Sequence, residues 1–117
     1  MLRQALINLV DNAIKFTPSG GRIRIRISET AVDAIFDVID SGTGIAPEAR
    51  ARIFDRFYRV EGIDAGGTGL GLSIAKGAVE ANGGRLTLEH TGLEGSTFRI
   101  TMPLAKLEVR SRKWKVS

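Results

Sequence analysis

Apolar residues recur at helical spacing through Leu2, Ala5, Leu6, Leu9, Val10 and Ala13, which predicts an amphipathic helix over residues 2–16. The opposite face carries Gln4, Asn8, Asp11, Asn12 and Lys15. Two asparagines stand there in place of the usual Glu and Lys mixture, although asparagine is a poor helix former. Thr17-Pro18-Ser19-Gly20-Gly21 stops the helix, since proline disfavours helix in the residue before it and glycine opens a turn. From Arg22 to Ser28 the pattern becomes an alternation of Arg22, Arg24 and Arg26 with Ile23, Ile25 and Ile27, a strand with its isoleucine face in the core. Val32 to Ile39 reads as its antiparallel partner across a hairpin at Glu29 to Ala31. A short helix is expected near Pro47 to Phe54, with proline where a first turn tolerates it, and Asp55 to Thr68 reads as a mobile loop. Leu70 to Asn82 predicts a second long helix with Leu70, Leu72, Ile74, Ala78, Val79 and Ala81 toward the core, stopped by Asn82-Gly83-Gly84. Arg85 to His90 and Ser96 to Pro103 alternate as strands joined by Thr91 to Gly95.

Long helices and strands in this order predict an α/β fold, a two-layer sandwich with helices on one face of a mixed, largely antiparallel sheet. The order of strands in the sheet does not follow from the pattern. With 117 residues and 43% hydrophobic composition, the chain fits one packed domain, expected over residues 1–105, followed by a tail at 106–117. The absence of cysteine excludes a disulfide framework and any thiolate metal site. No apolar run approaches the ~20 residues that span a bilayer, and the amino terminus does not read as a signal peptide. The net charge of +4 owes much to Lys106, Arg110, Arg112, Lys113 and Lys115. With one aromatic, Trp114, and no groove-reading element beside it, that tail reads as a solvated or partner-contacting segment rather than a nucleic-acid site.

Three ordered segments carry the chemistry: NLVDNAIK from Asn8, DSGTG from Asp40 and GTGLGL from Gly67. Asn8, Asn12 and Lys15 lie at i, i+4 and i+7 on one helical face. Asn12 can offer a carbonyl oxygen to a hard cation such as Mg²⁺, and Lys15 a positive charge to a phosphate. A solvated polar face would look the same. Asp40 ends an apolar strand, and Ser41-Gly42-Thr43-Gly44 after it lets backbone approach a flat ligand closely. Its carboxylate can accept from an exocyclic amino group, which adenine has and hypoxanthine lacks; a tight Asp-Ser-Gly turn is the plainer alternative. Gly67, Thr68, Gly69, Leu70, Gly71 and Leu72 open the second helix, where freed backbone N–H groups and the helix dipole suit phosphate. The segment fits neither the dinucleotide fingerprint nor the P-loop, which needs Lys and then Ser or Thr after its last glycine. The ordered set of three points to a nucleotide site of another class.

Those segments resemble the boxes of the catalytic, ATP-binding domain of sensor histidine kinases, in the wider group of gyrase B, Hsp90 and the mismatch-repair ATPases. NLVDNAIKF is similar to the asparagine box, DSGTGI to the first glycine box, IFDRFYR to the phenylalanine box, GTGLGLSIAK to the second glycine box and GSTFRITMP to the closing strand. The resemblance covers Leu2 to Leu104 and implies a Bergerat-type fold that binds ATP with Mg²⁺. It implies Asn12 as the Mg²⁺ ligand, Asn8 and Lys15 along the phosphates, and Phe16 stacked on adenine, with core packing as the competing role for Phe16, Phe54 and Phe57. Asp40 would accept from the adenine amino group, with Gly42, Gly44 and Ile45 shaping the pocket and Thr97 near the base. Phe54 and Phe57 would anchor a lid over Tyr58 to Gly67, Arg59 would reach phosphate, and Gly67, Gly69 and Gly71 would line it.

In the ATPases of the wider group a glutamate that activates water matches Asn8, and an amide cannot serve as a general base. The expected activity is therefore transfer of the γ-phosphoryl to a histidine, with Asn8, Lys15 and Arg59 as the catalytic set. The alternatives are an ATP-binding module without transfer activity and a gyrase-like ATPase. The resemblance places the acceptor on a separate dimerising helical hairpin, with a response regulator downstream. The single histidine, His90, falls in a strand without the helical context of an acceptor. No Ser, Thr, Asp or Asn caps the first helix before Leu2, and family members carry a strand and connector upstream, so the chain reads as lacking its amino-terminal part. It is expected to be cytoplasmic, to make no membrane contact, and to be monomeric alone.

Overall fold

The first helix, α1 (Leu2–Phe16), buries Ala5, Leu9, Ala13 and Phe16 and ends where Thr17 turns extended (φ −107, ψ 117) ahead of Pro18. The computed structural model describes residues 1–56, 58 and 71–107. After α1 come β1 (Ile23–Glu29), β2 (Asp33–Asp40), α2 (Pro47–Arg50), α3 (Gly71–Ala81), β3 (Arg85–Gly92) and β4 (Gly95–Pro103). The strands form one sheet in the order β1-β2-β4-β3, and α1 and α3 pack together on one of its faces. The two-layer α/β sandwich is therefore present.

The expectation of a mixed sheet is corrected, because every ladder among the described residues is antiparallel. β2 and β3 run in the same direction but are not neighbours: β4 turns back from β3 in a hairpin and inserts between them. Alternation in β4 sends Phe98, Ile100 and Met102 into the core with Phe36, Val38 and Leu86. Phe54 meets Phe98 edge to face, ring centroids 6.0 Å apart.

Two expected apolar faces are differently disposed. The register places Ile25 opposite Val38 and Ile27 opposite Phe36, so both project to the helix-bearing side of the sheet. They are nevertheless exposed, Ile27 to 66%, because β1 is an edge strand and α1 lies mainly over β2. In α3 the buried residues are Ala75 and Val79, with Leu72 packed at the margin, whereas Ile74 and Ala81 are exposed. α3 packs against α1 and the sheet, and Ile74, one residue from the buried Ala75, falls outside the buried stripe. The remaining differences are local. Helix α2 ends at Arg50 and turns continue to residue 54, while the β3–β4 turn is shorter than expected, with only Leu93 and Glu94 between the strands. Residues 104–107 form a helical turn whose Leu104 and Leu107 pack on the core. Residues 108–117 of the basic tail, and most of the expected mobile loop, lie outside the described residues.

The other face of the sheet is organised around Asp37, 1% exposed. Its carboxylate accepts from Arg99 at 2.8 and 3.1 Å and from Arg26 at 3.2 Å, and Arg99 also reaches Glu89 at 3.3 Å. These bonds tie β1, β2, β4 and β3 together across the strands. The Arg99 hydrogen bonds hold the Asp37 carboxyl below its ordinary value of 3.8, against the upward push of burial and with further help from Arg26. A depressed carboxyl adds stability above its unfolded-state value and loses it as pH falls through the folded-state value. Arg99→Leu is expected to cost about 2 kcal/mol at neutral pH, by leaving Asp37 underpaired. Urea unfolding should show that deficit shrinking as pH falls below 3.8; a deficit independent of pH would contradict the ion-pair account.

Candidate functional site

Asp40, the last residue of β2, is 3% exposed. Oδ1 accepts the Gly42 N–H at 2.9 Å, closing a local Asx turn, and the Ser96 N–H at 3.2 Å from β4. Oδ2 is buried with no hydrogen-bond partner among the described residues. A carboxylate oxygen left so is costly unless another donor arrives, and burial accordingly pushes the Asp40 carboxyl above its ordinary value while the two backbone bonds pull the other way. The site therefore presents one enclosed acceptor.

The loop behind this acceptor is fixed by backbone contacts. A Cβ on Gly42 would run into the Phe16 carbonyl at the end of α1, and one on Gly44 (φ +79) into the Gly92 carbonyl of β3. Thr43 N–H reaches the Phe16 carbonyl at 3.4 Å, and Ser41 and Arg22 bond reciprocally, Ser41 N–H to the Arg22 carbonyl at 3.0 Å and Arg22 N–H to Ser41 Oγ at 2.7 Å. Ile45, 3% exposed, closes the loop with its N–H donated to Thr91 Oγ1 at 2.8 Å.

Along α1, Asn8 receives the Gln4 amide on Oδ1 at 3.2 Å and donates Nδ2 to the Gly71 carbonyl at 3.2 Å, bridging to the start of α3. Asn12 is half-buried with its Nδ2 enclosed, and neither Nδ2 nor Oδ1 has a partner among the described residues. Lys15 is exposed one turn further on. A Cβ on Gly71 would meet nothing within 4 Å among the described residues, and Leu72 packs against the core. Phe57, Arg59, Gly67, Thr68, Gly69 and Leu70 lie outside the described residues. Among the described residues no group of three or more His, Cys, Asp or Glu side chains forms a metal cluster. An Asn12 carbonyl with free lone pairs nevertheless fits a Mg²⁺ ion that keeps most of its ligands from water and phosphate.

Phe16 and Thr97 are the remaining expected positions at the base end. Phe16 sits in the core cluster at 8% exposure, leaving little of its ring open to a ligand. Thr97 pairs with Ile39 and projects to the face away from the helices, whereas Ser96 pairs with Asp40 and is 3% exposed beside it. The sequence carried that signal: with Phe98, Ile100 and Met102 pointing inward, period-2 alternation sends Ser96 inward and Thr97 outward. Thr91 was masked in the sequence by its place in an apparent loop. His90 is exposed on β3, just past an irregularity in its pairing with β4.

The model of the histidine kinase-, DNA gyrase B-, and HSP90-like ATPase family matches residues 1–106. This chain belongs to that family. Within it the similarity is to sensor kinases. The sensor protein KdpD of Clostridium acetobutylicum is 40% identical over 107 residues, 88% of this chain and 12% of that protein. The sensor histidine kinase RppB of a Synechocystis species is 40% identical over 111 residues, 92% of this chain and 24% of that protein. The domain thus spans a quarter or less of the lengths of these curated relatives. A mycobacterial sensor histidine kinase, MprB, has a similar structure, with a TM-score of 0.76 and 34% identity, over 86% of this chain and 70% of that one. Full-length ShkA, solved in complex with AMPPNP, matches with a TM-score of 0.74 and 37% identity over 87% of this chain and 21% of that one. The fold and family expected from the sequence are thereby established. No helix among the described residues is long and apolar enough to cross a membrane.

The raised Asp40 carboxyl yields a stability test. A carboxyl whose folded-state value is raised costs stability once pH exceeds its unfolded-state value, so the ionised group penalises the unliganded domain near neutrality. Asp40→Asn is therefore expected to melt at or above the parent midpoint near pH 7, with the difference gone below 3.8. A midpoint that falls at neutral pH and stays low in acid would contradict an underpaired carboxylate.

Proposed function

We propose that the domain binds Mg-ATP and transfers the γ-phosphoryl to a histidine on a separate helical hairpin, as the catalytic part of a two-component sensor. The observation that carries this reading is the enclosed, unpartnered Oδ2 of Asp40, which matches the exocyclic amino group of adenine. Gly42, Gly44 and Ile45 supply a pocket rim in which backbone stands close to the base. Asn12 Oδ1 would be the protein ligand of Mg²⁺, which offsets phosphate charge when bound. Lys15 would lie along the phosphates, and the α3 start at Gly71, with residues 67–70 before it and Arg59, would complete their surroundings.

The transfer reading rests on Asn8. Its amide is committed to Gln4 on one side and to the Gly71 carbonyl on the other, and it has no basic atom to take a proton from water. Hydrolysis in the absence of an acceptor would accordingly be slow, and positioning and charge neutralisation would provide most of the rate. The hairpin supplies the acceptor and the dimer contact, a response regulator takes the phosphoryl group onward, and the domain works in the cytoplasm as residues 1–105 with a basic tail.

Incubating the domain with γ-labelled ATP and a separate dimerisation and phosphoacceptor hairpin from a sensor histidine kinase should place an acid-labile, base-stable label on the hairpin. Lys15→Ala should slow labelling by roughly 10²-fold, in the range of losing one charge-stabilising group. Saturable ATP binding with no label on any hairpin would leave a nucleotide-binding module without transfer activity. Rapid acceptor-free hydrolysis would point to the gyrase-like alternative.

A further inference from the structure

The hairpin of β3 and β4 meets the Asp40 loop almost entirely through backbone. A Cβ on Gly95 (φ +127) would overlap the Asp40 carbonyl, as one on Gly44 would overlap that of Gly92. Surfaces of that kind leave little side-chain volume to hold them in register, and one side chain does bridge them. Thr91 Oγ1 accepts the Ile45 N–H at 2.8 Å and lies 2.8 Å from Ser96 Oγ, while Ser96 donates its N–H to Asp40 Oδ1 at 3.2 Å. A single hydroxyl thus connects the residue closing the loop to the strand residue that orients the carboxylate.

A threonine hydroxyl has one proton and two acceptor lone pairs, so Thr91 can accept from Ile45 and still share a hydrogen bond with Ser96 Oγ, in which either hydroxyl can be the donor. We propose that Thr91 is a positioning residue for the base end of the site, holding Ile45 and Ser96 in register with Asp40 through this hydroxyl. The inference rests on the nucleotide reading above, and it concerns selection of the base rather than of the phosphates.

The test titrates Mg-ATP and Mg-ITP into the chain and its Thr91→Val, Thr91→Ala and Thr91→Ser variants, with thermal melts of each. ITP carries the same triphosphate but lacks the amino group that Asp40 would recognise. The parent should prefer ATP. The valine and alanine variants should lose about tenfold in ATP affinity, the consequence of one disrupted buried hydrogen bond, with ITP affinity nearly unchanged, and serine should restore the preference. Equal losses for both nucleotides, or a serine variant that behaves like valine, would overturn the proposal by reducing the hydroxyl to a structural part. If valine prevents folding, alanine carries the comparison; unfolding of both would show a folding requirement and refute the positioning role. A parent chain that binds neither nucleotide would defeat the nucleotide reading and the inference with it, whereas one that binds both alike would leave nucleotide binding standing and overturn the base-selection role.

Discussion

A buried carboxylate with half of its hydrogen bonds made is the constraint on which the rest of the site depends. Asp40 Oδ1 is held by two backbone donors from different parts of the chain, Gly42 in its own turn and Ser96 in β4. Those bonds fix the orientation of the group, and that orientation leaves Oδ2 enclosed and unanswered. A fold optimised only for stability would fill that lone pair or replace the residue, because burying an underpaired charge costs free energy. The surrounding glycines serve the same end, since they let the loop, the end of α1 and the β3–β4 turn meet as backbone on backbone.

The opposite face of the sheet solves the converse problem. Asp37 is as deeply buried as Asp40, yet both of its oxygens are paired, with Arg99 forking onto the carboxylate and Arg26 joining from the edge strand. One buried aspartate is neutralised and ties the strands together, while the other, three residues later in β2, keeps an open acceptor. The difference lies in partners rather than depth: Asp37 pairs in register with Arg26 and Arg99, whereas Asp40 pairs with Ile23 and Ser96, neither of which can neutralise it.

Much of this was legible in the residues. The 3.6-residue period of α1 set its buried stripe, the alternation in β2 and β4 set the core face of the sheet, and the ordered Asn, Asp-Gly and Gly-rich segments led to the family. What escaped the sequence were properties of neighbours. Ile25 and Ile27 alternate as core residues do, but an edge strand beyond the reach of α1 leaves them open, and strand order is not encoded in a local period. Ile74 satisfied the apolar pattern of α3, yet it is exposed while Ala75 and Val79 are buried, a matter of how the helix is turned toward its neighbours. Thr97 was placed near the base, although the inward positions of Phe98, Ile100 and Met102 send Ser96 rather than Thr97 to the Asp40 side of the sheet. Thr91 could not be found, because its significance comes from a hydrogen bond to Ile45, 46 positions away.

The most direct test of the central claim is calorimetric titration of ATP with Mg²⁺ into the purified domain, beside Asp40→Asn and Asn12→Ala. A site built on an open carboxylate acceptor and an amide oxygen for the metal predicts saturable binding in the parent chain, weakened by each substitution while both variants remain folded. Binding that Asp40→Asn leaves unchanged, or a folded parent chain that takes up no ATP, would contradict it.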